Sequence, residues 1–377
     1  MSAAGPSPAP PTPVAPVAPV APTPETAATA GTGAMLVTGA GGYFGRRLVA
    51  RLRGLASGGA AAGAAAPRVL GADCVASGPD IATLDLRAEA LLELLAGEKV
   101  EAICHLLWFP EALEPEAAFR ANVMGAMRIV AAARRAGVRY LLVRSSTSVY
   151  GHARAMPAFI PEEWEVEAAP RDGRARHLLE VESFVEGFTA RNPVPAVGVL
   201  RFAPVVGPAS ESRLMAYLRG GPVRPVAMGY DPRIQLIHED DVVDALAHAL
   251  GRRHAGAVNV AAPGVVPLRR VLRLLGKTAA PVPHPLLPAA LALEAELSGR
   301  PYLALDADFL RFAPVGDTTR MERDLGFRPR VAALEAIREL AAVEETRDAG
   351  ARAADRDAAR EERNRLRETV KRLAGTL

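Results

Sequence analysis

The sequence predicts an α/β fold in which a parallel, doubly wound sheet is followed by a smaller C-terminal lobe. Short apolar runs of strand length alternate with segments of helical periodicity up to Phe202. A glycine-rich turn directly follows the first of these runs, as in phosphate-binding strand–turn–helix units. Beyond Phe202 the alternation loosens and proline becomes frequent, which favours a separate lobe.

The glycine turn reads Thr38-Gly39-Ala40-Gly41-Gly42-Tyr43-Phe44-Gly45 and lies between the apolar run 34–37 and a helical pattern. The first amides of a helix are free and its dipole is positive there, so such a turn attracts phosphate. Gly39 permits the tight turn, Gly42 lets a pyrophosphate approach the backbone, and Gly45 lets the helix pack close to the strand. This context predicts a dinucleotide-binding turn.

The later elements continue the alternation. A Gly/Ala-rich insertion, Ser57 to Pro67, is expected to separate the first helix from the second strand. The pattern predicts strands at 69–73, 102–106, 140–143 and 196–200, and helices at 88–95, 114–136 and 174–190.

Four regions follow from these patterns. Residues 1–33 are rich in Pro and Ala and predict a disordered, polyproline-like tether. Residues 34–202 form the predicted dinucleotide-binding domain, to which elements near 233–262 return, and 203–340 form mainly the substrate lobe. Residues 341–377 predict a charged helical tail, as a solvated helix or a short coiled coil.

Composition excludes several classes of function. The formal net charge of +3 is small and the basic pairs are scattered, so no nucleic-acid partner is expected. No apolar run has membrane-spanning length, so no membrane partner is expected either. The two cysteines, Cys74 and Cys104, lie in apolar runs and fit a reducing cytoplasm, with no disulfide and no metal site.

Further motifs carry a resemblance to a known family. They are Asp73 at the end of the second strand, Asp85-Leu86, Asn122, the run Ser145 to Gly151, the stretch Arg233 to Val242, and Asp317 to Pro329. With the glycine turn, they resemble the extended short-chain dehydrogenase/reductase family of NAD-dependent epimerases and dehydratases. The resemblance extends from about Met35 to about Arg330. The residues of the last two stretches are similar to those of the UDP-glucose 4-epimerase-like branch of the family.

The resemblance implies a Rossmann-type fold, NAD as cofactor, a nucleotide sugar as the small-molecule substrate, and a homodimer formed through the helices near 114–136 and 174–190. Asp73 would hold the adenosine ribose and repel a 2′-phosphate, which favours NAD over NADP. Arg233 would grip the diphosphate of the sugar nucleotide, although a surface ion pair is an alternative. The implied cofactor-binding residues are Thr38, Gly39, Gly42, Tyr43, Phe44, Gly45, Asp73, Asp85, Leu86 and Asn122.

The family's Tyr-x-x-x-Lys pair is missing. No tyrosine lies between Tyr150 and Tyr217, and no lysine between Lys99 and Lys277. Phenol titrates near pH ~10, so the family tyrosine needs the adjacent cation to act as a base at neutral pH. Our alignment puts Asp172 at the tyrosine position and Arg176 at the lysine position. Asp172 also suits a helix N-cap.

Ser146 fits the family's substrate-binding hydroxyl, with Ser145 and Thr147 as alternatives in register. Leu107 and Trp108 stand where the family usually has small residues beside the cofactor, and Pro204 replaces a substrate-contacting asparagine. Two hypotheses follow. The first is an active epimerase, dehydratase or reductase that uses an unusual proton relay around Ser146. The second is a dinucleotide-binding pseudo-enzyme that serves as a sensor or scaffold.

Overall fold

The computed structural model describes residues 33–58, 68–75, 80–106, 108, 115–165, 173–297 and 305–346. The predicted tether lies outside these ranges except for its last residue, as do nearly all of the insertion after the first helix and most of the charged tail. Within the described ranges, no helix combines the length and the apolar character needed to cross a membrane.

A seven-stranded parallel sheet forms the centre of the molecule, which confirms the predicted fold class. Its strands are β1 (Ala34–Thr38), β2 (Val69–Asp73), β3 (Ile81–Thr83), β4 (Val100–His105), β5 (Tyr140–Ser146), β6 (Ala196–Phe202) and β11 (Gly256–Val260). Their spatial order is β11-β6-β5-β4-β1-β2-β3. The chain direction across the sheet therefore reverses between β1 and β4, and ligands of such sheets bind at that crevice.

Helices cover both faces of this sheet because alternate strand residues point to opposite sides. In β5, Leu142 belongs to the core beneath α1 and α7, whereas Leu141 belongs to the core beneath α2, α4 and α5. The helices are α1 (Tyr43–Gly58), α2 (Ala88–Gly97), α3 (Pro115–Phe119), α4 (Gly125–Arg135), α5 (Gly173–Thr189) and α7 (Glu239–Arg252). A π-helical segment, Arg120–Met124, joins α3 to α4.

The C-terminal lobe has its own apolar core. Its strands β7 (Val205–Val206), β8 (Val223–Ala227), β9 (Arg233–Ile234), β10 (Ile237–His238), β12 (Val266–Pro267) and β13 (Thr278–Val282) form the pairs β7–β10, β9–β12 and β8–β13. Its helices are α6 (Arg213–Arg219), α8 (Leu268–Leu274), α9 (Leu287–Leu297) and α10 (333–346). Leu214 and Phe309 of this lobe line one cleft together with Ser146 and Phe202 at the carboxyl ends of β5 and β6.

Candidate functional site

The glycine turn has the geometry that its sequence predicts. Gly39 has a φ of 72°, a region that side chains rarely adopt, and its carbonyl accepts a hydrogen bond from the Gly42 amide at 3.1 Å. A Cβ on Gly45 would lie 2.1 Å from the Gly39 carbonyl oxygen. The helix can start this close to β1 only because Gly45 has no side chain.

Asp73 ends β2 beside this turn. Its Oδ2 accepts a hydrogen bond from the Gly41 amide at 2.9 Å, and its Oδ1 accepts one from the Val75 amide at 3.3 Å. The carboxylate is buried against the turn. An open turn with a carboxylate at the end of the next strand fits the pyrophosphate and ribose of an adenine dinucleotide.

The two aromatic residues of the turn point to different places. The Tyr43 hydroxyl donates to Glu239 at 2.9 Å and accepts from Arg47 at 2.7 Å, so it ties α1 to α7. Burial and the bond to Glu239 raise the pKa of Tyr43. Phe44 instead lies under the guanidinium of Arg144, 4.7 Å from the ring centre.

Asp85 and Leu86 follow β3 in the chain, and Asn122 lies in the π-helical segment that precedes α4. The Arg87 side chain and backbone amide donate to Asp85, and the Arg87 side-chain hydrogen bond lowers the pKa of Asp85. Leu86 packs on the core formed by α2, α4 and α5. Asn122 is buried in the π-helical segment, a type of distortion that is frequent at functional sites.

Ser146 is open to a large cleft. Its Oγ accepts a hydrogen bond from the Ser148 amide at 3.2 Å and so caps the short 3₁₀ helix Thr147–Tyr150. Of the two alternatives in register, Ser145 donates to Glu182, and Thr147 is buried and does not line the cleft. Ser146 therefore keeps the most suitable position for a ligand.

A buried polar network supports this end of β5, and sequence reasoning missed it. The Arg201 guanidinium pairs with Glu182 at 2.6 Å and donates to the Tyr150 hydroxyl at 2.9 Å. Tyr150 in turn donates to Asn259 at 2.8 Å. Burial lowers the pKa of Arg201, but Glu182 outweighs it and the pKa is raised. The Tyr150 hydroxyl is therefore committed to this network.

Helix α5 presents a different register from the predicted one. Arg174 lines the cleft beside Ser146, and Leu178 lies one turn further along on the same side. Arg176 is exposed and does not line the cleft. Asp172 lies outside the described residues. The structure thus brings Arg174, rather than Arg176, to Ser146.

The cleft lies between the main sheet and the C-terminal lobe. It encloses about 940 Å³ of space, part of it open to solvent. Arg144, Arg174 and Arg213 line it together with His152, and its acidic lining residues are Glu211 and Asp306. Three guanidiniums against two carboxylates make the cleft suitable for a ligand with negative charge.

Arg233, the predicted diphosphate ligand, is not brought to this cleft. It is exposed, lies 5.5 Å from the ring centre of Phe159, and donates to the Ala158 carbonyl at 3.3 Å. Within the described part of the chain, no group of three or more His, Cys, Asp or Glu side chains is placed to hold a metal ion.

Comparisons with known proteins agree with this geometry at the level of the fold. A short-chain dehydrogenase/reductase superfamily protein from Agrobacterium tumefaciens with bound NAD superimposes with a TM-score of 0.62 and 22% identity, over 85% of this chain and 99% of that one. A UDP-glucose 4-epimerase with UDP-glucose from Thermotoga maritima gives a TM-score of 0.59 and 19% identity, over 83% and 98% of the two chains.

Sequence comparison is more specific. An uncharacterized protein of Mycobacterium tuberculosis is 30% identical over 319 residues, which cover 80% of this chain and 82% of that protein. The sequence model of the NAD dependent epimerase/dehydratase family matches residues 35–261, from β1 to the residue after β11. This match spans more than half of the chain and includes the glycine turn, Asp73 and Ser146. The chain belongs to the NAD-dependent epimerase/dehydratase family.

Proposed function

We propose that this protein binds NAD at its glycine turn and a nucleotide sugar in the cleft, and that it acts as an epimerase, dehydratase or reductase. NAD, when bound, supplies reversible acceptance of a hydride from a sugar carbon. The observation that carries the proposal is the cleft itself, where Ser146 and His152 lie with three arginines beside the turn. Solved relatives of the same fold contain NAD or a UDP-sugar.

The residues proposed to hold NAD are those of the turn and of the neighbouring strand ends. The free amides at the start of α1 would face the pyrophosphate, and Asp73 would accept from the ribose hydroxyls. The full proposed set is Thr38, Gly39, Gly42, Tyr43, Phe44, Gly45, Asp73, Asp85, Leu86 and Asn122.

Proton transfer needs a group other than the family tyrosine. Ser146 would hydrogen-bond the reacting oxygen of the sugar, and His152 lines the same cleft. An imidazole changes charge near neutral pH and therefore suits a general base. Among the described lining residues, Glu211 and Asp306 are the carboxylates that could serve instead.

The three arginines of the cleft would bind the diphosphate of the sugar nucleotide. Planar guanidiniums bind phosphate oxygens in pairs, and the acidic lining residues do not balance their charge. Arg233 remains a proposed diphosphate ligand, which would require its side chain to leave the Phe159 ring.

A pseudo-enzyme is the second candidate, and helix α5 favours it. Arg174 and Leu178 lie beside Ser145 at the carboxyl end of β5, where the family relies on a tyrosine and a lysine. An arginine does not release its proton at neutral pH, and a leucine has none to exchange. On this alternative the protein would bind the dinucleotide and signal its presence, as a sensor or scaffold.

One experiment separates the two candidates. The purified protein is denatured, its supernatant is assayed for NAD(H), and the native protein is incubated with UDP- and dTDP-sugars. A converted sugar, lost in Ser146→Ala but retained in the exposed control Ser183→Ala, would establish the enzyme. Bound or titratable NAD without conversion of any sugar would establish the pseudo-enzyme, and no binding of NAD would refute both.

We further propose a cytoplasmic homodimer that pairs through α4 and α5. Phe119 and Met124 are exposed apolar residues next to these helices. Light scattering after size-exclusion chromatography should give twice the mass of the chain, and Met124→Glu should halve it.

A further inference from the structure

Next to the cleft lies a second, smaller space at the carboxyl ends of β4 and β5, which we call the inner cavity. It encloses about 430 Å³, including its opening, and shares Arg144, Ser145 and Arg174 with the cleft. Trp108 forms another part of its wall. The shared residues make the two spaces neighbours.

Two buried donors of the inner cavity have no hydrogen-bond partner among the described residues. They are Nε of Arg144 and Nε1 of Trp108, which belong to different segments of the chain. A buried polar group without a partner destabilises the folded protein, so such groups in native proteins usually have a ligand or water to bind. Both groups can only donate.

The charge around these donors is positive. Of the described residues that line the inner cavity, none is acidic. His105 is neutral, because burial lowers its pKa to about 4. Burial lowers the pKa of Arg144 to about 9, and repulsion by the nearby Arg174 guanidinium contributes to this shift.

The scaffold holds Arg144 in place without neutralising it. Its guanidinium stacks on Phe44, and that of Arg174 lies 5.4 Å from the centre of the Trp108 ring. Stacking on Phe44 fixes the orientation of the Arg144 guanidinium, and its Nε remains available to donate. The nearby carboxylate, Glu182, is committed to Arg201 and Ser145.

We propose that Arg144, Arg174 and Trp108 form an oxyanion-binding pocket for a planar or tetrahedral anionic group of the ligand. This inference rests on the proposed function, since the group belongs to a ligand of that site. Two sources carry this chemistry: a carboxylate on the sugar of the nucleotide sugar, or a phosphate of the dinucleotide.

Calorimetry on the full chain tests the pocket with three probes: NAD, UDP-glucose and UDP-glucuronate, which differs from UDP-glucose by a carboxylate. The variant Arg144→Met keeps the apolar stem on Phe44 and removes the charge, and Arg191→Met removes an exposed arginine as the matched control. Trp108→Phe removes only the indole N–H. Melting temperatures show that each variant is folded.

If the pocket binds a carboxylate of the sugar, the wild type should bind UDP-glucuronate at least about tenfold more tightly than UDP-glucose, and Arg144→Met should abolish this preference. If the pocket binds a phosphate of the dinucleotide instead, Arg144→Met should lower the affinity for NAD about tenfold and leave the preference between UDP-glucuronate and UDP-glucose unchanged. In either case Trp108→Phe should give a smaller loss for the same probe. The pocket is refuted if Arg144→Met matches Arg191→Met for all three probes, whereas failure of the wild type to bind any probe refutes the proposed function itself.

Discussion

The Nδ1 atom of His105 lies 2.8 Å from the hydroxyl of Thr38, so one buried hydrogen bond joins the carboxyl ends of β4 and β1. These two strands flank the point at which the strand order reverses. Thr38 is also the first residue of the glycine turn. The hydrogen bond therefore holds the start of the proposed dinucleotide site against the strand that leads to the inner cavity.

The burial of His105 makes the stability of the protein depend on pH. Its pKa falls from 6.5 to about 4 in the folded protein, so the unfolded chain binds more protons between these values. The corresponding stability is fully present above pH 6.5 and is lost as the pH falls toward about 4. A shift of this size corresponds to about 3 kcal/mol.

Urea unfolding of the wild type and of His105→Asn, at several pH values from 7 to 4, measures this effect. Carboxylates also titrate in this range, so the difference between the two proteins is the quantity of interest. We expect the free energy of unfolding of His105→Asn to fall less steeply with acidification. Parallel curves for the two proteins would show that His105 is not the group responsible.

We expect NAD binding to be very sensitive to the addition of a methyl group at Gly45. Alanine at this position would place its Cβ 2.1 Å from the Gly39 carbonyl oxygen, so the turn would have to shift. We expect Gly45→Ala to lower NAD affinity at least about 100-fold and to lower the melting temperature.

Gly54 in the same helix provides the control, because its added Cβ would meet nothing within 4 Å. Gly54→Ala should be neutral or stabilise α1 by up to about 1 kcal/mol and leave NAD binding unchanged. Equal NAD affinities for the two alanine variants, measured by calorimetry, would contradict the proposed role of the turn.

Asp73 predicts the choice of coenzyme. Its carboxylate lies beside the turn, where a 2′-phosphate would meet its negative charge. Asp73→Asn keeps an acceptor for the Gly41 amide and removes the charge, so the ratio of NAD to NADP affinity should fall about tenfold or more. Asp80→Asn, at an exposed position, is the control and should leave the ratio at its wild-type value.

Local sequence patterns predict most of the fold. The strands of the main sheet are buried along nearly their whole length and appear in the sequence as short continuous apolar runs. These runs and the glycine turn are local features, so the strands and the turn at Gly39 could be predicted without the structure. The seven-stranded sheet confirms that reasoning. The family assignment rested on the same local motifs.

The orientation of α5 could not be predicted in this way. Because the tyrosine and the lysine are absent, the sequence motif does not fix the register of α5. Alignment with the family puts Arg176 at the lysine position, whereas the structure brings Arg174 to the cleft. Burial fixes the register instead, because Leu178 and Val181 must face the core. In this register Glu182 also faces inward, where it pairs with Arg201 of β6. The sequence signal for this pair is an arginine within an otherwise apolar strand.

The pair of Glu182 and Arg201 predicts a large effect on stability. Both side chains are nearly buried and lie 2.6 Å apart, so removal of one charge leaves the other without compensation. Glu182→Gln should lower the free energy of unfolding by about 3–5 kcal/mol. Glu180→Gln, an exposed position of the same helix, should change it by less than about 0.5 kcal/mol.

Because Ser145 also donates to Glu182, the Glu182→Gln variant should in addition alter ligand binding in the cleft. Chemical denaturation measures the stability difference, and a loss in Glu182→Gln no larger than that in the control would mean that the network does not stabilise this end of β5.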